Sequence, residues 1–377
     1  SRIYQMFSST HGGDILRKNF YIFMILLGAV TILYLGGCSQ KQTASEDHKI
    51  DFKIEDKELG HTTTLNYIVT NSVSAIGDRL FLSVDDHSPS KMANKVVEFN
   101  RKTQKSKTLF TTTFKRSSIQ ALKANKDWVV WIDSDEEGGQ MNYYAMNIRT
   151  QEIESIKKNN TSETLSDTLD LIDHRAVWVS HDEEKDATHI YMKDLKKKQT
   201  KKLFKLDSMI NAHLSFHDDN LLFFNKDNGK QQAYIYNLTT ESLKKIPLNQ
   251  HLISNGQLIN DHQFIYEKSF TDSDGAINKN QLIFYDINTK QSKTIKNTDS
   301  GVGSIVIDDH NQFFFEIDEP KKSGYIILKE MNGSIKKVGS LKKESYFHLT
   351  FQHGLYLLNF QNAQRNNQKL TITSKLS

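Results

Sequence analysis

The chain has one cysteine and three prolines among 377 residues. A lone thiol excludes an intrachain disulfide and a thiolate metal cage, and leaves the chain no redox chemistry of its own. The scarcity of proline excludes proline-rich linkers. Charge of one sign is also lacking: 49 Lys and Arg against 45 Asp and Glu leave a formal net charge of +4. That total does not point to nucleic acid, which would need a clustered basic patch. Several catalytic signatures are missing too. The sequence holds no G-x-S-x-G elbow, no H-E-x-x-H pair, no glycine-rich phosphate loop and no S-x-D-x-G-x-T-W box, so nucleophilic catalysis, a helical metal site and nucleotide chemistry find no support. No cofactor and no metal are expected.

Only one long apolar run occurs. Phe20 to Leu35 reads FYIFMILLGAVTILYL, without a charge, after Arg17-Lys18 and before Gly36-Gly37-Cys38. A basic n-region, an apolar h-region and small residues at a cleavage point stand in the order of a secretory signal. As a helix the run spans roughly 24 Å, short of a hydrocarbon core of about 30 Å. The tetrapeptide Leu35-Gly36-Gly37-Cys38 resembles the lipobox of bacterial lipoproteins. That resemblance implies acylation of Cys38 and anchoring on the outer side of the cell membrane; an uncleaved signal anchor is the alternative. The expected layout is therefore an upstream extension at 1–16, a signal peptide at 17–37, a lipidated polar tether at 38–60 and a globular domain at 61–377.

The globular part, in a chain with 37% apolar and 25% charged residues, repeats itself. A hydrophobic strand follows a short polar turn at Leu80, Trp128, Val177, Leu221, Phe264, Phe313 and Leu355, a period near 46 residues. A second phrase, strand-turn-strand, follows each of the first six: YAMNIRTQEIESI and YIYNLTTESLKKI are two copies. Asn100, Asn147, Asp194, Asn237 and Asp286 share one column of it, and Thr103, Thr150, Thr240 and Thr289 another. Asx side chains bond their own backbone two or three residues on, so the column marks a hairpin turn. Four short strands per unit, rich in β-branched and aromatic residues, predict an all-β, seven-bladed β-propeller, with six blades as the alternative. The last blade lacks a strand, which TTTLNYIV at residues 62–69 is expected to supply. The repeat resembles the TolB-like and WD40-like propellers in its phrase of aromatic, Asn/Asp and Thr/Gly.

Charges gather in the loops. Those between second and third strands are acidic: Asp85 and Asp86; Asp133, Asp135, Glu136 and Glu137; Asp182, Glu183, Glu184 and Asp186; Asp272 and Asp274. Turns between third and fourth strands are basic, as at Arg101, Lys102, Lys196, Lys197 and Lys198. These two sets of loops lie at opposite ends of a blade, so faces of opposite charge are expected. An acidic binding face of Asp133, Asp135, Glu136, Asp182, Glu183, Asp272 and Asp274 is one reading; solvated turns without a ligand are the other. The alternating carboxylates at 133–135 and 272–275 lack the twelfth-position Glu of a calcium loop. His174, His217, His262, His310 and His353 fall in or beside one repeated turn, which reads as a turn position rather than a metal centre. Trp128, Trp131 and Trp178 sit in second strands, where burial between blades is expected.

Together these readings predict a membrane-tethered scaffold, monomeric, binding an envelope protein or polymer. The alternatives are a polysaccharide lyase or hydrolase and a ligand-sensing or solute-binding lipoprotein.

Overall fold

A computed structural model describes residues 51–52, 62–65, 67, 69–85, 92–158, 160, 162–209, 213–271, 273, 277–298, 304–319, 322–331, 334–342, 347–362 and 367–373. The chain divides into two units, Ser1–His48 and Lys49–Ser377, and every described residue belongs to the second. Cys38, its signal peptide, Asp86, Asp272 and Asp274 lie outside the described residues.

Seven antiparallel blades of four strands follow one another along the chain, at 69–111, 117–158, 163–206, 215–250, 253–298, 305–342 and 347–373, the sixth gaining a short fifth strand at its outer edge. The seventh is completed by Thr62–Leu65, which pairs antiparallel with Asn367–Thr373 in the register Thr62↔Thr371 to Leu65↔Gln368. The expected closing strand is present, four residues long. Seven blades, not six, make the ring, and the described residues contain no helix.

First strands line the axis and bond one another around it. Asn71 Nδ2 donates to Ile119 O (3.2 Å) between blades one and two, and Ser215 Oγ to Gln257 Oε1 (2.9 Å) between four and five. Ser74 Oγ donates to Gln352 Oε1 (2.9 Å), joining blade one to blade seven.

The second strands carry the core, and their geometry explains why they read as unbroken apolar runs. Successive side chains point to opposite faces of a sheet, and both faces of a blade meet a neighbour. In blade two, Val129 and Trp131 pack with Phe81 of blade one, while Trp128, Val130 and Ile132 pack with Ala176 and Trp178 of blade three. Seven such clusters occupy the seven interfaces; the last joins Leu357 and Leu370 of blade seven to Leu80 and Leu82 of blade one. Trp131 and Trp178 are among the largest fully buried side chains, as their strand positions imply. Gly256 is glycine for a packing reason: a Cβ there would collide with the ring of Phe224 in the preceding blade.

The Asx column builds the turns expected of it. Asn147 Oδ1 accepts from the amides of Arg149 (3.0 Å) and Thr150 (3.1 Å), and Asn237 Oδ1 from those of Thr239 (3.1 Å) and Thr240 (2.8 Å). Asp194 and Asp286 repeat the pattern. Four residues after the Asx the backbone enters the left-handed region without glycine, at Gln104, Gln151, Lys198, Glu241 and Lys290, with φ between 56° and 59°.

Asp51–Phe52, inside the segment expected to be a tether, pairs parallel with the fourth strand of blade six, Asp51 opposite Ser340. An outer strand presents unpaired backbone groups that a passing segment can satisfy.

Candidate functional site

The five described carboxylates of the expected acidic face are each bonded to near neighbours. Asp133 is fully buried; its Oδ1 accepts from Thr112 Oγ1 (2.7 Å), while its Oδ2 has no hydrogen-bond partner. Burial holds this carboxyl above its ordinary range, against the hydrogen bond from Thr112 and the backbone donor of Thr113. Asp135 Oδ1 caps its own loop, accepting from Gly139 N (2.7 Å) and Gln140 N (3.1 Å). Glu136 Oε2 pairs with Arg116 Nη1 at 3.0 Å in solvent. Asp182 accepts from Lys185 Nζ (2.8 Å) and Lys185 N (3.1 Å), and that side-chain bond holds its carboxyl below the usual range. Glu183 accepts from Thr164 Oγ1 and lies 3.8 Å from His181 Nε2. Each of these five groups is engaged within its own blade or at its immediate border.

The expected contrast of charge between faces takes another form. In an antiparallel sheet the turn between strands one and two lies at the same end as the turn between three and four. The basic turns therefore share their face with first turns that carry Asp78, Asp127, Asp173, Asp218, Asp219, Asp261 and Asp309. First strands are innermost, so this face is acidic around the axis and basic at the rim. The two rings meet at Arg101, whose Nη2 lies 3.9 Å from Asp78 Oδ1. Arg175, 8% exposed, pairs with Asp219 and, at 3.3 Å, with Asp173; Asp219 also accepts from Thr239 Oγ1 at 2.6 Å. Those bonds, Thr239 first and Arg175 second, hold the Asp219 carboxyl low.

Within the acidic ring a cavity of about 470 Å³ opens on the axis, lined by Lys123, His217, Gln257, Asp309, Asn311 and Gln352 among others. Residues of blades two, four, five, six and seven meet there, which only ring closure can arrange. One wall is held by Asp308, 4% exposed, whose carboxylate accepts from His310 N, Gln312 N and Gln312 Nε2, each at 2.8 Å, and from Tyr356 OH. Burial, then the bond to Asp308, pushes the Tyr356 phenol well above its usual range. Asp308 has all four of its bonds inside the wall and serves structure.

Beside that wall, His217, Asp218 and Asp261 bring one ligating atom each within 4.8 Å of one another. The sequence placed these histidines blades apart, and it missed this group because Asp261 belongs to blade five and His217 to blade four. The signal that could have found it was the Asp recurring in the first turn of successive repeats.

This architecture defines the protein as a seven-bladed β-propeller closed by a strand from before its first blade. No family model and no curated protein matches the chain. Among solved structures it is similar to the β-propeller domain of the Trilobed protease from Pyrococcus furiosus, described as having an open velcro topology, with a TM-score of 0.59 and 13% identity over 82% of this chain and 95% of that one. It is likewise similar to oligogalacturonate lyase from Vibrio parahaemolyticus, with a TM-score of 0.57 and 11% identity over 82% of this chain and 90% of that one. TolB from Acinetobacter baumannii superposes more loosely, with a TM-score of 0.41 and 11% identity over 83% of this chain and 79% of that one. At these identities the likeness shows the fold, and fold does not fix function.

Proposed function

We propose that the protein is a lipid-anchored, extracytoplasmic propeller that acts as a monomeric binding scaffold for an envelope protein or polymer. The observation that supports a scaffold over an enzyme is that Asp133, Asp135, Glu136, Asp182 and Glu183 are each bonded within their own blade or at its border. Hydrolysis of a glycosidic bond needs two carboxyl groups facing it across several ångströms. The lyase or hydrolase reading would use carboxylates such as Asp135 and Asp182, which bond Gly139 N and Lys185 Nζ, and draws also on a neighbour that shares the fold at 11% identity. A solute-binding reading needs an apolar channel pocket, whereas the axial cavity presents Lys123, His217, Gln257 and Asp309.

The anchor in this reading is lipid on Cys38, with two acyl chains because one alone holds weakly. Two measurements test the proposal. Cys38→Ser should shift the protein from membrane to soluble fractions or leave an unprocessed precursor; unchanged processing and attachment would sink the anchor. Protein beginning at Ser39, immobilised and offered solubilised envelope components, should retain one saturable partner that free propeller competes away. Turnover of a polysaccharide without such retention would favour the enzyme.

A further inference from the structure

We propose that His217, Asp218 and Asp261 form a mononuclear site for a divalent first-row metal ion, at the mouth of the axial cavity. His217 ends the first strand of blade four and Asp218 opens the turn after it, with φ +48°. Asp261 comes from the equivalent turn of blade five. His217 Nδ1 lies 3.7 Å from Asp218 Oδ2 and 3.4 Å from Asp261 Oδ1.

Two independent features mark a ligand. First, the spacing: a metal holding nitrogen and oxygen donors at about 2.0–2.2 Å sets neighbouring donors roughly 3.0–3.5 Å apart. The two distances to Nδ1 are at or just beyond that range, and both aspartates are exposed. Second, His217 Nδ1 is itself out of solvent contact and makes no hydrogen bond, although the ring is 36% exposed. A buried ring nitrogen aimed between two carboxylates is satisfied by a cation.

The surroundings resemble an outer shell. Asn220 Nδ2 donates to Asp261 Oδ1 (2.8 Å), and Asn220 Oδ1 in turn accepts from Asn237 Nδ2 (2.9 Å). Such partners orient ligating carboxylates, and losing one typically weakens binding 10–100-fold. One imidazole with two carboxylates suits manganese, cobalt or zinc ions, and is too poor in oxygen donors for calcium. His217 also lines the cavity, so coordination positions left open by the protein face the space in which a ligand would sit. The inference stands whether or not the propeller holds an envelope partner. The competing account is a protonated imidazole paired with two carboxylates and no metal.

Titration of the full chain with manganese or zinc ions, followed by calorimetry, separates the two. Binding of one ion per chain is expected. His217→Ala and Asp261→Asn should each weaken it at least tenfold, and Asn220→Ala about tenfold. His251→Ala, which alters a histidine on the opposite face beside Lys230, should leave it unchanged. With manganese bound, electron-spin-echo modulation from a directly bonded nitrogen should disappear in His217→Ala. Thermal melting checks that each variant folds. Absence of binding up to about 1 mM ion, or equal affinity in all variants, would overturn the site and leave the ion pair.

Discussion

Trp178 and Tyr191 lie directly opposite each other on the middle strands of blade three, their rings stacked 5.6 Å apart at 10°. The same cross-strand pair recurs as Trp131 with Tyr144 (5.7 Å), Phe223 with Tyr234 (5.4 Å) and Phe264 with Tyr285 (5.1 Å). Opposed side chains on one face are the unit that stabilises a sheet. Trp178→Ala should cost about 3–5 kcal/mol. A double-mutant cycle with Tyr191→Ala should return a coupling of about 0.5–1.5 kcal/mol in urea unfolding. Additive losses would show that the stack contributes area alone.

Closure of the ring depends on a short strand. Leu65 is 1% exposed and packs with Leu80, Leu357 and Leu370, so Leu65→Ala should lower unfolding stability by about 2–5 kcal/mol. Removing residues 62–65 should do more, by baring the edge of 367–373 to other chains. Sedimentation velocity would report that as self-association.

At Gly256 the constraint is steric. A Cβ would enter the ring of Phe224, and overpacking of this kind costs about 1–3 kcal/mol. Gly256→Ala should therefore melt earlier. Combined with Phe224→Leu, the glycine substitution should cost less than it does alone.

Asp133 makes a prediction about pH. Its carboxyl is raised above the ordinary 3.8 by burial, so the folded state prefers the protonated form. The cost of ionising it is absent below the unfolded value and grows as pH climbs through the folded one. Asp133→Asn should therefore be more stable than the parent at pH 7, and the gap should close near pH 3.5. A less stable Asn variant at pH 7, measured by urea melts at both pH values, would contradict the assignment.

A hydrogen-bond acceptor in an exposed turn has a smaller effect. Asn147→Ala removes the acceptor for the amides of Arg149 and Thr150 and should cost about 1 kcal/mol. Loss of the turn should show as faster amide exchange at Arg149 and Thr150.

The seven apolar runs and the Asx column were legible because each is a local pattern. A strand buried on both faces reads as a continuous run, and an Asx turn is closed by residues two and three positions away. The closing strand was legible as well, since a blade short of one strand leaves an edge that must be paired. The candidate site was not. Asp133 and Asp182 look alike in one dimension, yet one is buried at an interface beside Thr112 and the other is in solvent beside Lys185.

The sequence by itself determined the repeat and the turn chemistry, because those rest on neighbours within about 50 residues; ring closure settled seven blades over six. The tertiary structure alone decided which charges meet. Closing the ring sets first turns from successive blades side by side around the axis. It brings His217 to Asp261 across a blade boundary, and it places an acidic ring inside a basic rim on one face.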